Sequence, residues 1–218
     1  MKKMVAGAVL CLLAFVGFLG FQVSEKSKQK EFYQEAAVFF EEADYKKAIQ
    51  YLEEAKEHSN LFTGSLEEEI AYYLAESHMN LEEYEEAIAI YDSLIKDNPK
   101  ESMNYVLKEY CLSAAGETEK AVAVYQEAYE RTGDEAFLSL LCDLYISMEQ
   151  YDEALNLIEK SDQIKNEDVK KNLGFSEIVI YEKQQEYGKA FEKAKAYCEL
   201  YPEDEKGQKE RDFLESRK

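Results

Sequence analysis

Acid–base, thiol and metal chemistry need particular side chains at particular spacings, and this chain supplies few of them. It has two histidines, His58 and His78, and four cysteines, Cys11, Cys111, Cys142 and Cys198. No CxxC pair occurs and no histidine stands at ligand spacing from a cysteine, so neither a zinc site nor thiol catalysis is assembled. The three cysteines beyond the N-terminal run cannot all pair with one another and read as small buried residues. Acidic runs such as Glu53-Glu54, Glu67-Glu68-Glu69 and Glu82-Glu83 could in principle hold a cation or trade protons. Adjacent positions on a helix do not converge, however, so these runs read as its solvated faces. His78 is expected to be packed, and His58 to close a helix, where a cation is favoured. No glycine-rich phosphate loop, nucleophile elbow or metalloprotease motif is present. The chain is therefore read as a non-enzyme with no cofactor and no metal site.

The residues that remain are better suited to contact than to reaction. There are 17 tyrosines and 11 phenylalanines, no tryptophan, only 9 glycines and 2 prolines, and 33% charged residues. Ala, Leu, Glu, Lys and Gln dominate, all of which favour helix, so an all-α protein is the first inference. The first 23 residues hold two lysines and no acid. The rest of the chain thus carries 24 basic and 46 acidic side chains, a net charge of −22. Such a surface repels phosphate backbones, which excludes nucleic acid as an expected partner, and it attracts basic ones.

What holds these residues begins with an apolar segment. After Met1-Lys2-Lys3, residues Met4 to Val23 run without a charge. Twenty residues at about 1.5 Å each span a hydrocarbon core. The end of the run offers no small-x-small cleavage site, so an uncleaved single-pass anchor is favoured over a cleaved signal peptide. Lysines flank the run on both sides. The short basic start points the rest of the chain outward from a cell membrane, while the unpaired cysteines argue mildly for the reducing side.

The remaining sequence is repetitive. Acid or amide, Tyr, two polar residues, Ala and then an apolar residue recur at Asp44–Ile49, Glu83–Ile88, Gln150–Leu155 and Glu186–Phe191, with Gly188 in one polar place. A weaker copy without the tyrosine lies at Glu117–Val122. Their alanines, Ala48, Ala87, Ala121, Ala154 and Ala190, are 39, 34, 33 and 36 residues apart. Twelve residues after each stands a helix stopper: Asn60, Pro99, Gly133, Asn166 or Pro202. Four after come Leu52, Tyr91, Tyr125, Ile158 and Ala194, one face of a helix. Twelve before come Ala36, Ala75, Glu109, Cys142 and Ile178 on a preceding helix.

This pattern resembles the tetratricopeptide repeat family, whose unit is a helix-turn-helix of about 34 residues. The resemblance runs from about Gln29 to Pro202. The family's small residue is matched by Ala36, Ala75 and Cys142 but not by Glu109 or Ile178. Its tryptophan position holds Phe32, Ala71, Tyr105, Leu138 and Gly174. The family implies a right-handed α-α superhelix, here of about five helix pairs, with a C-terminal capping helix and one preceding transmembrane helix. The chain would divide into a basic tail (1–3), a transmembrane anchor or uncleaved signal (4–23), a linker (24–28), the repeat array (29–203) and a capping helix (204–218). The 39-residue interval implies either a longer loop near His58–Ser65 or a longer helix.

In this family the first helices line a groove that holds a peptide. The matching face here carries Tyr33, Phe40, Tyr72, Glu76, Met79, Val106, Tyr110, Ser139, Asp143, Phe175 and Val179. The Lys, Arg and Asn clamp by which some relatives hold a C-terminal carboxylate is not assembled, since its places hold Lys30, Ala37, Tyr73, Met103 and mostly acids. The resemblance implies a membrane-anchored scaffold or adaptor that binds a peptide or protein, and the aromatics and acids of this face suit an apolar, basic one. Two alternatives stay open: a structural or self-associating envelope component, and an enzyme with a hidden carboxylate site.

Overall fold

In the computed structural model the backbone is described for residues 2–60 and 64–217, and side chains from residue 18 onward except 61–63, 65, 162 and 218. Among the described residues there are eleven α-helices, one 3-10 turn at Ser161–Gln163, and no strand. The helices are α1 (Lys2–Glu41), α2 (Tyr45–Glu57), α3 (Gly64–Asn80), α4 (Tyr84–Asp97), α5 (Ser102–Ala114), α6 (Thr118–Thr132), α7 (Ala136–Ser147), α8 (Tyr151–Glu159), α9 (Glu167–Lys183), α10 (Tyr187–Leu200) and α11 (Glu205–Glu215).

Each repeat is a helix pair, and its recurring motif marks the start of the second helix. The motif's acid or amide is the N-cap of α2, α4, α6, α8 and α10. Only Asp44 has a side chain short enough to accept from the backbone, taking the Lys47 N–H at 3.3 Å. The motif alanines Ala48, Ala87, Ala121, Ala154 and Ala190 are all fully buried. No larger side chain fits where the second helix closes on the first, which is why alanine recurs there.

The turn into each second helix is set by one residue in the left-handed region: Ala43, Glu82, Gly116, Glu149 and Gln185, with φ between 58° and 78°. At four of these turns the next-but-one hydrogen-bonding pattern of a Schellman motif follows. Asp44 N–H reaches Phe39 C=O, and Glu83, Gln150 and Glu186 reach His78, Tyr145 and Tyr181, all at 2.8–2.9 Å. Four of the five positions are not glycine, so the αL turn carries no compositional signal.

The chain forms two compact units. The first is residues up to Asn98 together with Tyr110–Gly116; the second is Pro99–Glu109 with Glu117 onward, so α5 contributes to both. In the first unit Ala36, Leu52, Ala55, Ile70 and Leu74 form the centre of the core, flanked by Phe32, Ile49, Tyr51 and Ile90. In the second, one cluster joins Cys142, Ile146, Ala154, Ile158, Val169, Leu173 and Ile180. Another joins Phe175, Ile178, Ala190, Phe191, Ala194, Tyr197 and Leu214.

Residues 24–28, expected as a linker, continue α1 without a break. The segment has no glycine or proline, and Glu25 pairs with Lys28 one turn on at 3.1 Å. The extra length of the 39-residue interval lies partly in α3, which has 17 residues against 13 in α5. The apolar run falls largely outside the described side chains. Among the described residues no helix is long and apolar enough to cross a membrane. Met1 of the basic tail also lies outside the description.

Candidate functional site

In both units the first helices of successive pairs lie side by side, and the predicted face is built from them. In the first unit α1 and α3 are joined by aromatic contacts. Tyr73 is the hub: its ring meets Tyr33 edge-on at 5.6 Å and Phe40 at 5.0 Å, and Phe40 in turn meets Tyr45 at 5.4 Å. The Tyr33 hydroxyl donates to Glu69 at 3.0 Å. Burial first, and then the Glu69 carboxylate, push the Tyr33 phenol well above its ordinary value, so it stays a donor. Tyr33 and Phe40 are therefore half-buried and braced. Met79 is half-buried too, its sulfur accepting the Tyr91 hydroxyl at 3.3 Å. Tyr72 is half-exposed, Glu76 exposed, and Tyr110, in the last turns of α5, is 56% exposed. Rigid aromatic rings held in place but left open offer contact area at little entropic cost.

In the second unit α7, α9 and α11 adjoin. Asp143 on α7 accepts from Ser176 of α9 at 3.5 Å. Asp143 is exposed to solvent, yet its surroundings displace enough water to raise its carboxyl above the usual range. The Ser176 hydroxyl and Lys206 partly offset this. Ser139, one turn before Asp143, holds a buried hydroxyl oxygen with no hydrogen-bond partner in the protein. Val106 and Val179 are half-buried. Phe175 differs from expectation: it is 9% exposed, stands edge-on to Tyr197 at 5.7 Å, and has the Lys206 ammonium over its face at 3.6 Å. It belongs to the core and not to the open face, because α11 covers it.

Three residues on this face were missed. Tyr73 stands on the clamp register, where its type reads only as a departure from the clamp. Ser176 follows Phe175 and gave no signal. Lys206 sits on α11, which reads from sequence as a polar cap, yet its ammonium lies over the Phe175 ring. The expected histidine roles are met locally. His58 is the C-cap of α2, bonded to Glu25 at 2.6 Å and stacked on Phe32 at 5.4 Å. His78 is largely buried and bonds Glu83 at 2.7 Å. Cys111, Cys142 and Cys198 are buried free thiols, and burial raises each above its ordinary value, so they are protonated and unreactive. Among the described residues no group of His, Cys, Asp and Glu side chains could hold a metal ion.

Glu109 shows how a departure from the repeat is absorbed. It stands where the family has a small residue, is only half-buried, and accepts the Tyr125 hydroxyl at 2.8 Å. The neighbouring aromatic thereby becomes a hydrogen-bond donor to the intruding carboxylate.

Comparison with known proteins agrees with this geometry. The sequence matches the tetratricopeptide repeat family over residues 39–107 and 112–170, more than half of the chain. No curated protein matches it. Among solved structures it is similar to a tetratricopeptide repeat protein from Parabacteroides merdae ATCC 43184, at 19% identity over 86% of this chain and 72% of that one, with a TM-score of 0.57. It is similar also to MamA from Desulfovibrio magneticus RS-1, at 19% identity over 82% and 97%, with a TM-score of 0.53. A third is a chain of the Naa15/Naa10 complex bound to HypK, at 14% identity over 84% of this chain but 28% of that one, with a TM-score of 0.60. At these identities the likeness is one of fold. With the matched repeats, the buried motif alanines and the paired helices in agreement, this chain belongs to the tetratricopeptide repeat family.

Proposed function

We propose that this protein is a membrane-anchored adaptor that binds a peptide or protein along the first-helix face. The observation that carries the reading is the open aromatic and acidic set on that face. In the first unit Tyr110 is 56% exposed and Glu76 is exposed, beside Tyr33 and Phe40, which ring contacts hold in place; in the second, taken by itself, Asp143 is exposed. Such a surface suits a ligand with apolar side chains and net positive charge. The aromatics supply contact area; the carboxylates orient basic groups and speed encounter. Repeat arrays of this kind serve as scaffolds for protein contact, and the related Naa15/Naa10 structure is itself a protein complex.

The uncharged run Met4–Val23 supports the membrane anchor, with the repeats outside the cell membrane. A photo-crosslinking residue in place of Tyr110, used in cells and followed by identification of the linked protein, tests the binding role. The adaptor reading expects one dominant partner of different sequence. Crosslinks only to further copies of this chain would favour the structural, self-associating reading. Mass spectrometry of the mature N-terminus tests the anchor, which requires the run to be retained; an end near Gly20–Ser24 refutes it.

A further inference from the structure

The apolar run and the repeat array do not merely adjoin; they overlap on one helix. The uncharged run ends at Val23, and α1 continues unbroken to Glu41. Packing against the array begins before the run is over. Gln22 is 8% exposed, and its carbonyl accepts the Asn60 side-chain amide at 3.2 Å. One turn further on, Glu25 holds His58 at 2.6 Å, and His58 stacks on Phe32 with the two rings 4° from parallel. Gln29 is fully buried. Around this junction Phe18, Phe21 and Val23 are 47%, 59% and 65% exposed. Their apolar surface has no protein covering it, at the point where the uncharged run meets the polar part of the chain. A flexible stalk needs glycine, proline or serine-rich sequence, and residues 21–63 contain neither glycine nor proline.

From this overlap, and resting on the anchor reading above, we infer that the protein has no stalk. Helix α1 is both membrane anchor and first repeat helix, and it holds the turn His58–Asn60 of the array against the lipid headgroups. Phe18, Phe21 and Val23 then meet lipid at the interface. The exposed Lys26, Lys28 and Lys30 stand within about 4–11 Å of the run's end along the helix, at the level of lipid phosphates. Glu42, at the far end of α1, stands about 28 Å away. The first helix pair is thereby held in a fixed orientation at the membrane.

The chain has no tryptophan, so a single introduced one is a clean probe. Full-length Ser24→Trp, Ser59→Trp, Glu57→Trp and Glu42→Trp variants are placed in phosphatidylcholine–phosphatidylglycerol vesicles that carry a headgroup nitroxide. Flotation and circular dichroism are recorded for each. Ser59→Trp and Glu57→Trp should be quenched to within about twofold of Ser24→Trp, since all three lie near the junction, and Glu42→Trp should be unaffected. Glu57→Trp guards against misfolding of the turn variant. Quenching of Ser24→Trp alone would show a hinged array and overturn the inference while leaving the anchor intact. Equal quenching at all four positions would show an array lying flat and also overturn it. Failure of the folded protein to float would remove the anchor itself, and the inference with it.

Discussion

A β-carbon placed on Gly207 of α11 would stand 2.5 Å from Cε1 of Tyr197 on α10. Tyr197 occupies a repeat position that holds Ala55, Leu94, Ala128 and Ser161 in the other pairs. Its large ring is accommodated from two sides. Gly174, at the family's tryptophan position, leaves room on α9, where a β-carbon would reach 3.4 Å, and Gly207 leaves room on α11. The Tyr197 hydroxyl donates to Asp204, whose carboxylate also caps α11 by accepting the Lys206 N–H. One aromatic therefore both fills the last pair and fastens the capping helix.

Gly207→Ala should consequently destabilise the protein. Replacing glycine by alanine inside a helix ordinarily gains about 1 kcal/mol. Here overpacking against the tyrosine ring should dominate and cost about 1–3 kcal/mol. Denaturant unfolding of Gly207→Ala, alone and with Tyr197→Leu, checks this. The penalty should shrink when the ring is gone, and additive effects would show that the two residues do not meet.

The left-handed turns make an opposite prediction. Glu82 and Gln185 have φ of 60° and 61°. An L-residue there costs roughly 1–2 kcal/mol, partly offset by the greater unfolded-state freedom of glycine. Glu82→Gly and Gln185→Gly should each stabilise by about 0.5–1 kcal/mol, and Gly116→Ala, with φ of 78°, should destabilise. Thermal melts of the three variants should show these opposite signs.

Ala87 tests the repeat register. It is fully buried between α4 and its partner helix, so Ala87→Phe should cost about 1–3 kcal/mol of stability. An unchanged melting temperature would mean that the alanines do not mark the close approach of the helices.

Stability should also depend on pH through Glu182 of α9. Burial, and then the neighbouring Glu210 of α11, raise its carboxyl to about 7 from an ordinary 4.5. The folded state therefore binds more protons than the unfolded one between these values. Stability should fall as pH rises from about 4.5 through 7. Glu210→Gln removes the repulsion, so it should flatten that decline and raise the melting temperature at pH 8. An unaltered pH profile would separate the two carboxyls.

Much of this fold was legible because its signals are repeated. The motif alanines, the stoppers from Asn60 to Pro202 and the stripes around Leu52 and Tyr91 mark one packing geometry in five places, so errors at one are corrected by the others. The individual face was less legible. Phe175 obeys the same register as Tyr72 yet is covered, because α11 packs over it and places Lys206 on its ring. Tyr73 became a hub through contacts 33 and 40 residues away in sequence, which helical periodicity does not encode. The αL turns at Ala43, Glu82, Glu149 and Gln185 left no trace, since their residues are not those that favour φ above zero. The continuity of α1 was hidden by the change from apolar to charged residues near Ser24, which looks like a boundary although every residue there tolerates helix.

If the open aromatics of the first-helix face hold a partner, the dissociation rate of a captured partner depends on them directly. The rate should be measured for the parent, Tyr110→Ala and Tyr129→Ala, each with its helicity intact. Tyr129 is a control: it is 37% exposed but lies on α6, a second helix. Losing an anchor worth about 1–2 kcal/mol should speed release from Tyr110→Ala by roughly 5- to 30-fold, with Tyr129→Ala unchanged. A partner that leaves Tyr110→Ala no faster than the parent, or that is released only by the α6 substitution, would contradict the account.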